Sequence, residues 1–259
     1  MMNCTLVSTI LMMAIAIFAA PLAGAAEWGT IKGKFVYKGE VKPAPVTLTQ
    51  NADYCGEHKP MDESIVVGDG GALRDVFVYL YVARGKKVEI HPDYKPGELK
   101  AIANKGCRFE PHALTVWTSD ELEVRNDDTI GHNTNINFVA NSDFNQLVAN
   151  GSPLKKKLEK REDWPSPVAC NIHPWMKANL LVRDNPYMAV TGVDGSFEIK
   201  NMPAGKQEII LWHEAKGYLR DLKVGKEKAD RKGQIEVTVP AGGEVDLGVI
   251  EVAPAILGQ

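Results

Sequence analysis

Cys170-Asn171-Ile172-His173-Pro174-Trp175-Met176 is the stretch on which the reading of this chain turns, and the apolar run Asn179 to Arg183 follows close behind it. The pattern is C-x-x-H-x-x-M. A thiolate, an imidazole and a thioether offered from one tight loop form a soft donor set that suits copper better than other common biological metals. Zinc takes further thiolates or imidazoles, and a thioether serves it poorly. Haem attachment would need a second Cys in the motif, and an iron–sulfur cluster would need more still. Such a loop supplies three neighbours in space, so a second imidazole must come from elsewhere. The segment Val124-Arg125-Asn126-Asp127-Asp128-Thr129-Ile130-Gly131-His132-Asn133 offers one, presented after a strand and a polar turn. His132 precedes Cys170 by 38 positions (170 − 132). That gap lets strands run away and return, bringing both segments to one end of a sandwich.

The block N-D-D-T-x-x-H-N at Asn126 to Asn133, the block C-x-x-H-P-x-M and the strand Leu180 to Val182 together resemble the cupredoxin family, its amicyanin and pseudoazurin branch above all. The short ligand-loop spacing is the amicyanin one, and Phe109 to Val116 is similar to the strand ahead of the first-ligand region. The resemblance spans residues 98–184. It implies a Greek-key β-sandwich holding one type 1 copper ion. His132, Cys170 and His173 would form a trigonal ligand set, with Met176 the weak axial ligand. Four protein ligands leave no open position for substrate, so the resemblance implies a carrier of single electrons by outer-sphere transfer and not an enzyme. It further implies that Asn133 steadies the ligand loop and that His173 lies at the protein edge, with Pro174 and Trp175 as an apolar docking surface. A c-type cytochrome or a periplasmic dehydrogenase is the kind of redox partner expected.

The remaining chain also reads as strands. Ile31, Gly33, Phe35 and Tyr37 alternate with Lys32, Lys34 and Lys38, the period-2 pattern of a half-buried strand. Val76 to Val82, Leu114 to Trp117, Leu122 to Arg125, Phe197 to Ile199, Glu208 to Trp212, Gln234 to Val239 and Glu244 to Val252 are further runs, separated by turn residues such as Asp194-Gly195. The expected class is all-β, built as sandwiches. Asn141 to Pro167 reads as a long polar loop, with a trace of helical pattern only in Leu154 to Arg161. Residues 190–217 resemble the second half of a carboxypeptidase-regulatory-like, transthyretin-like sandwich, through Thr191, Asp194, Gly195, Phe197, Pro203 and Gly205. The first half of such a domain opens with a strand like Gly29 to Val36. The expected organisation is therefore a leader at 1–26, an N-terminal β region at 27–97, the copper unit at 98–184, and a second sandwich at 185–259 completed by 27–97. Two independent pieces in tandem are the alternative.

Leu6 to Ala20 is apolar and runs into Pro21-Leu22-Ala23-Gly24-Ala25-Ala26, small residues that a signal peptidase accepts. Cleavage after Ala25 or Ala26 implies the periplasm or cell surface, with no membrane span in the mature chain. An uncleaved anchor is the alternative. Of Cys4, Cys55, Cys107 and Cys170, three survive cleavage, an odd number in an oxidising compartment. One metal-bound thiolate at Cys170 and one disulfide between Cys55 and Cys107 account for it, free thiols being the other option. The 259 residues carry a net charge of −3, which points to no nucleic-acid partner. Lys155-Lys156-Lys157, with Lys160 and Arg161, is either a solvated face or a patch for an acidic partner. His112 reads as a structural or surface histidine, and His213 beside Glu214 makes no catalytic site by itself. A multi-copper oxidase needs more histidine than six residues provide. The competing function is a non-catalytic binding or copper-storage sandwich of the cell envelope.

Overall fold

The structure is a computed structural model that describes residues 27–259. The expected leader, with Cys4, lies outside the described residues. The chain is almost all β. The strand Trp28–Tyr37 buries Ile31, Phe35 and Tyr37 on one face, as its alternation requires. It pairs antiparallel with Ser196–Pro203 and parallel with Glu244–Val252. The facing sheet is built on Gly205–His213, which pairs with Phe77–Leu80 and with Gln234–Val239; Phe77–Leu80 pairs in turn with Met188–Val190. Both ends of the chain thus build one sandwich around Ile31, Phe35, Val78, Leu80, Phe197, Ile209 and Leu211. Gly195 allows the turn that feeds Ser196–Pro203. Its φ is 76°, and a Cβ there would lie 2.4 Å from the Phe35 carbonyl oxygen.

The second sandwich interrupts the first. One sheet runs in the order Ala113–Trp117, Lys177–Arg183, Ser166–Ala169, His132–Ile136, Phe144–Val148. The other runs Phe109–Glu110, Leu99–Asn104, Glu121–Asn126, Leu154–Lys157. Parallel pairing of Lys177–Arg183 with Ala113–Trp117 joins segments far apart in sequence, as parallel neighbours must be joined by a long crossover. Ile102, Val116, Leu122, Val124, Ile136, Val168, Leu180 and Val182 fill the space between the sheets.

Two segments differ from expectation. The polar stretch 141–167 is not one loop, because Phe144–Val148 pairs with His132–Ile136 and Leu154–Lys157 pairs with Glu121–Asn126. The helical trace at Leu154 to Arg161 is likewise corrected: Leu154–Lys157 is a strand and 158–161 are irregular. The strand's lysines alternate between its two faces, and Lys155 Nζ meets Glu121 Oε2 at 2.9 Å. Conversely, residues 52–58 form the short helix Ala52–His58, which no periodicity announced.

The two sandwiches share an apolar seam. Phe77, Tyr79, Ile210 and Trp212 face away from their own core and meet Ala113 and Leu181. Beside the seam, His112 Nε2 lies 2.7 Å from Glu214 Oε1, and its Nδ1 lies 3.7 Å from Glu63 Oε2. Asn179 Nδ2 donates to Glu214 Oε2 at 2.7 Å. Burial alone would favour neutral His112, but the hydrogen bond to Glu214 and the nearby Glu63 carboxylate hold its pKa up at about 10. It is a structural cation, clamped by carboxylates of the other sandwich.

Candidate metal centre

His132 opens the strand His132–Ile136, whose neighbour Ser166–Ala169 places Ala169 opposite Asn135. Cys170 follows Ala169 directly, so both residues emerge at the same end of one sheet. The loop from Cys170 is short because Ala169 pairs with Lys177 across its neck. Within it, the Met176 N–H donates to the His173 carbonyl at 2.9 Å and the Cys170 N–H to the Met176 carbonyl at 3.3 Å. These closures fold His173 back onto Cys170. Cys170 Sγ lies 3.6 Å from His173 Nδ1 and 4.0 Å from His132 Nδ1. The two imidazole centroids are 4.5 Å apart. One donor atom from each of the three residues falls within 4.8 Å of the others.

All three side chains are buried, His132 and His173 at 0% exposure and Cys170 at 1%. Met176 is also buried, in the same loop. Cys170 is the free thiol among the described residues, while Cys55 and Cys107 form a disulfide with an S–S distance of 2.02 Å. A second grouping of Cys107, Asp128 and His132 uses a sulfur already committed to that disulfide.

The expected edge position of His173 is overturned. Asn51 lies across its outer nitrogen, with Oδ1 3.0 Å from Nε2. Asn51 stands just ahead of the helix Ala52–His58, whose Cys55 is tied to Cys107. The disulfide therefore holds a segment from the N-terminal region against the ligand loop. Pro174 is exposed and Trp175 half-buried, as a docking surface would require. Trp175 meets the His173 ring edge-on at 5.1 Å between centroids and donates its Nε1–H to the Cys107 carbonyl.

Asn133 does hold the loop. Its Oδ1 accepts the N–H of Asn171 at 2.7 Å and that of Ile172 at 3.3 Å, and lies 3.4 Å from the Cys170 sulfur. Asp128 was not among the expected site residues, although it sits in the quoted N-D-D-T block four positions before His132. Its Oδ2 is 2.9 Å from His132 Nε2. The N–H groups of Gly106 and Cys107 also donate to its carboxylate, at 2.6 and 2.9 Å, and the Tyr54 hydroxyl reaches it at 3.2 Å. Asn51 carried no local signal at all; only the pairing of Cys55 with Cys107 hinted that its region returns to the site.

The electrostatics suit a cation. Burial pushes the Cys170 thiol up, but its hydrogen bond with His132 and the surrounding backbone donors outweigh this and lower its pKa. Burial and the neighbouring His132 depress His173 to about 4, so its ring is neutral. Burial would raise Asp128, yet His132 and the two backbone donors hold it at about 2. Burial lowers His132, but Asp128 and Cys170 raise it on balance. The same neighbours would favour a bound cation, and metal ligands must shed their protons to bind. The donor set of one thiolate and two imidazole Nδ1 atoms, with a thioether in the same loop, matches a soft transition metal and copper best.

No family model matches this chain, and no curated protein matches it. Among solved structures, it is similar to a Cu-containing nitrite reductase (NirK) from Thermus scotoductus SA-01, at 19% identity and a TM-score of 0.30, over 40% of this chain and 25% of that one. It is similar to a purple cupredoxin from Nitrosopumilus maritimus, at 20% identity and a TM-score of 0.28, over 33% of this chain and 99% of that one. Amicyanin from Paracoccus versutus is similar at 11% identity and a TM-score of 0.30, over 41% of this chain and 97% of that one. The match spans only a quarter of the reductase, and each likeness spans less than half of this chain.

Proposed function

We propose that this chain is a copper protein that passes single electrons between redox partners by outer-sphere transfer, with His132, Cys170, His173 and Met176 as ligands. The observation that carries the reading is the buried triplet in which both Nδ1 atoms face the Cys170 sulfur, at 4.0 and 3.6 Å. Copper supplies the one-electron redox couple there. The chain supplies a rigid, water-excluded cage. His132 is held by Asp128, His173 by Asn51 and the Cys170 loop by Asn133, so the donors have little freedom to rearrange when charge changes. Trp175, in edge contact with His173 and half-exposed, is the natural route between the buried ring and the surface. With Met176 as fourth ligand the cage leaves no position for substrate, and we read the protein as a carrier, not an enzyme.

The Cys55–Cys107 disulfide supports an oxidising compartment, and with the apolar start of the chain it supports export to the periplasm or cell surface. Among the described residues, no helix is long and apolar enough to cross a membrane. We take residues 98–184 as the copper unit and the sandwich around it, 27–97 with 185–259, as its support. A redox protein such as a c-type cytochrome or a periplasmic dehydrogenase is the expected partner.

Titration of the metal-free protein with Cu(II) tests this. One equivalent should produce intense visible colour that bleaches on reduction and returns on reoxidation, and Cys170→Ser should abolish it. A colourless complex, or colour that persists in Cys170→Ser, rejects the reading. The complete burial of His173 favours one second reading, copper storage. Storage predicts retention of copper with no fast electron exchange with a c-type cytochrome.

A further inference from the structure

The outer nitrogens of the two imidazoles are held by residues that the ligand motifs do not contain. Asp128 Oδ2 sits 2.9 Å from His132 Nε2. A carboxylate only accepts, so Nε2 carries the proton and Nδ1 presents its lone pair to the Cys170 sulfur. Asn51 Oδ1 sits 3.0 Å from His173 Nε2 and makes the same choice for that ring. Both acceptors are themselves fixed. Asn51 adopts a left-handed backbone conformation, φ 47° and ψ 41°, which Asn tolerates better than most residues. The helix that follows it is stapled through Cys55 to Cys107. Asp128 accepts from the N–H of that same Cys107, from Gly106 and from Tyr54. One staple thus anchors both supports. They differ in charge: His132 rests on an anion and His173 on a neutral amide.

We propose that Asn51 and Asp128 are positioning residues of the metal centre, holding both imidazoles as Nε2–H tautomers, and that the charge of Asp128 biases the bound ion towards its higher oxidation state. This rests on the copper reading above. A hydrogen-bonded carboxylate raises the donor strength of an imidazole, and a negative charge nearby stabilises the more positive ion.

The test uses the full chain as wild type, Asn51→Asp, Asn51→Ala and Asp128→Asn. Nitrogen NMR of the metal-free protein reads the tautomers, Cu(II) titration reads affinity, and voltammetry reads the potential. Wild type should show Nε2–H on both rings. Asn51→Ala should release the His173 tautomer and weaken copper binding about 10–100-fold, the usual cost of losing such a support. Asn51→Asp should keep the tautomer and move the potential to more negative values, whereas Asp128→Asn should move it to more positive ones. Opposite shifts cannot come from a loosened fold, and Asn51→Asp keeps the test alive should Asp128→Asn fail to fold. If wild type binds copper but the charge variants leave the potential unchanged or shift it in one direction, the charge claim falls. An unaltered His173 tautomer in Asn51→Ala overturns the positioning claim. If wild type takes up no copper, the carrier reading falls instead, and the tautomers still decide the positioning claim.

Discussion

Asn133 shows how much a single amide can organise. One side-chain oxygen meets two backbone donors and the Cys170 sulfur, at 2.7, 3.3 and 3.4 Å. Asn133→Ala should strand the N–H groups of Asn171 and Ile172 beneath the loop. The expected cost is about 1–3 kcal/mol of stability in urea denaturation of the metal-free protein. Colour in the copper form should weaken with it, as Cys170 loses its fixed direction. The four proposed ligands were legible because donor chemistry lies in residue type and local spacing, and Asn133 was legible through the resemblance to cupredoxins. Asp128 was legible in principle, four positions from His132 in a quoted block. Asn51 was not, because an amide in Gln50-Asn51-Ala52-Asp53 has no periodicity or motif to mark it.

At the scale of elements, the short helix Ala52–His58 matters through its staple. The disulfide spans 52 positions of sequence, and in the chain-entropy picture closing such a loop is worth about 4 kcal/mol. The double variant Cys55→Ala, Cys107→Ala should lose stability of about that size in a denaturant titration. It should also let Asn51 leave His173, so that an imidazole-directed reagent labels His173, which wild type protects. Labelling that is equally slow in both proteins would mean that the helix holds its place by packing alone. The strand Leu154–Lys157 carries a related lesson. Its lysines look helical or disordered in isolation, and only pairing with Glu121–Asn126 decides otherwise.

At the scale of the molecule, the clamp at the seam sets a pH dependence. The pKa of His112 is raised from an ordinary 6.5 to about 10 in the fold. Its contribution is therefore fully present below pH 6.5 and is lost as pH rises through about 10. Wild type should show a falling melting temperature from pH 7 to 10 that His112→Ala does not share. At neutral pH that variant leaves Glu214 with only the Asn179 amide as partner, at a cost of about 1–3 kcal/mol. Matching pH profiles for the two proteins would show that the clamp is not a stabilising ion pair. The seam also explains why Lys177–Arg183 is buried along nearly its whole length: Leu180 and Val182 serve one core while Leu181 serves the junction.

The amino-acid sequence alone determined the donor types and the all-β class, and it favoured pairing Cys55 with Cys107 over leaving them as free thiols, a choice the structure makes. Each follows from side-chain type, the two-residue period of strands, or the count of thiols. Tertiary structure alone decided what covers the donors. His173 was expected at the surface, and it is buried because Asn51, 122 positions away, is folded over it. No local pattern encodes such a contact. It exists because a disulfide and a sheet shared by both chain ends carry a distant polar segment to the ligand loop, where its hydrogen bond replaces the one that water would have made.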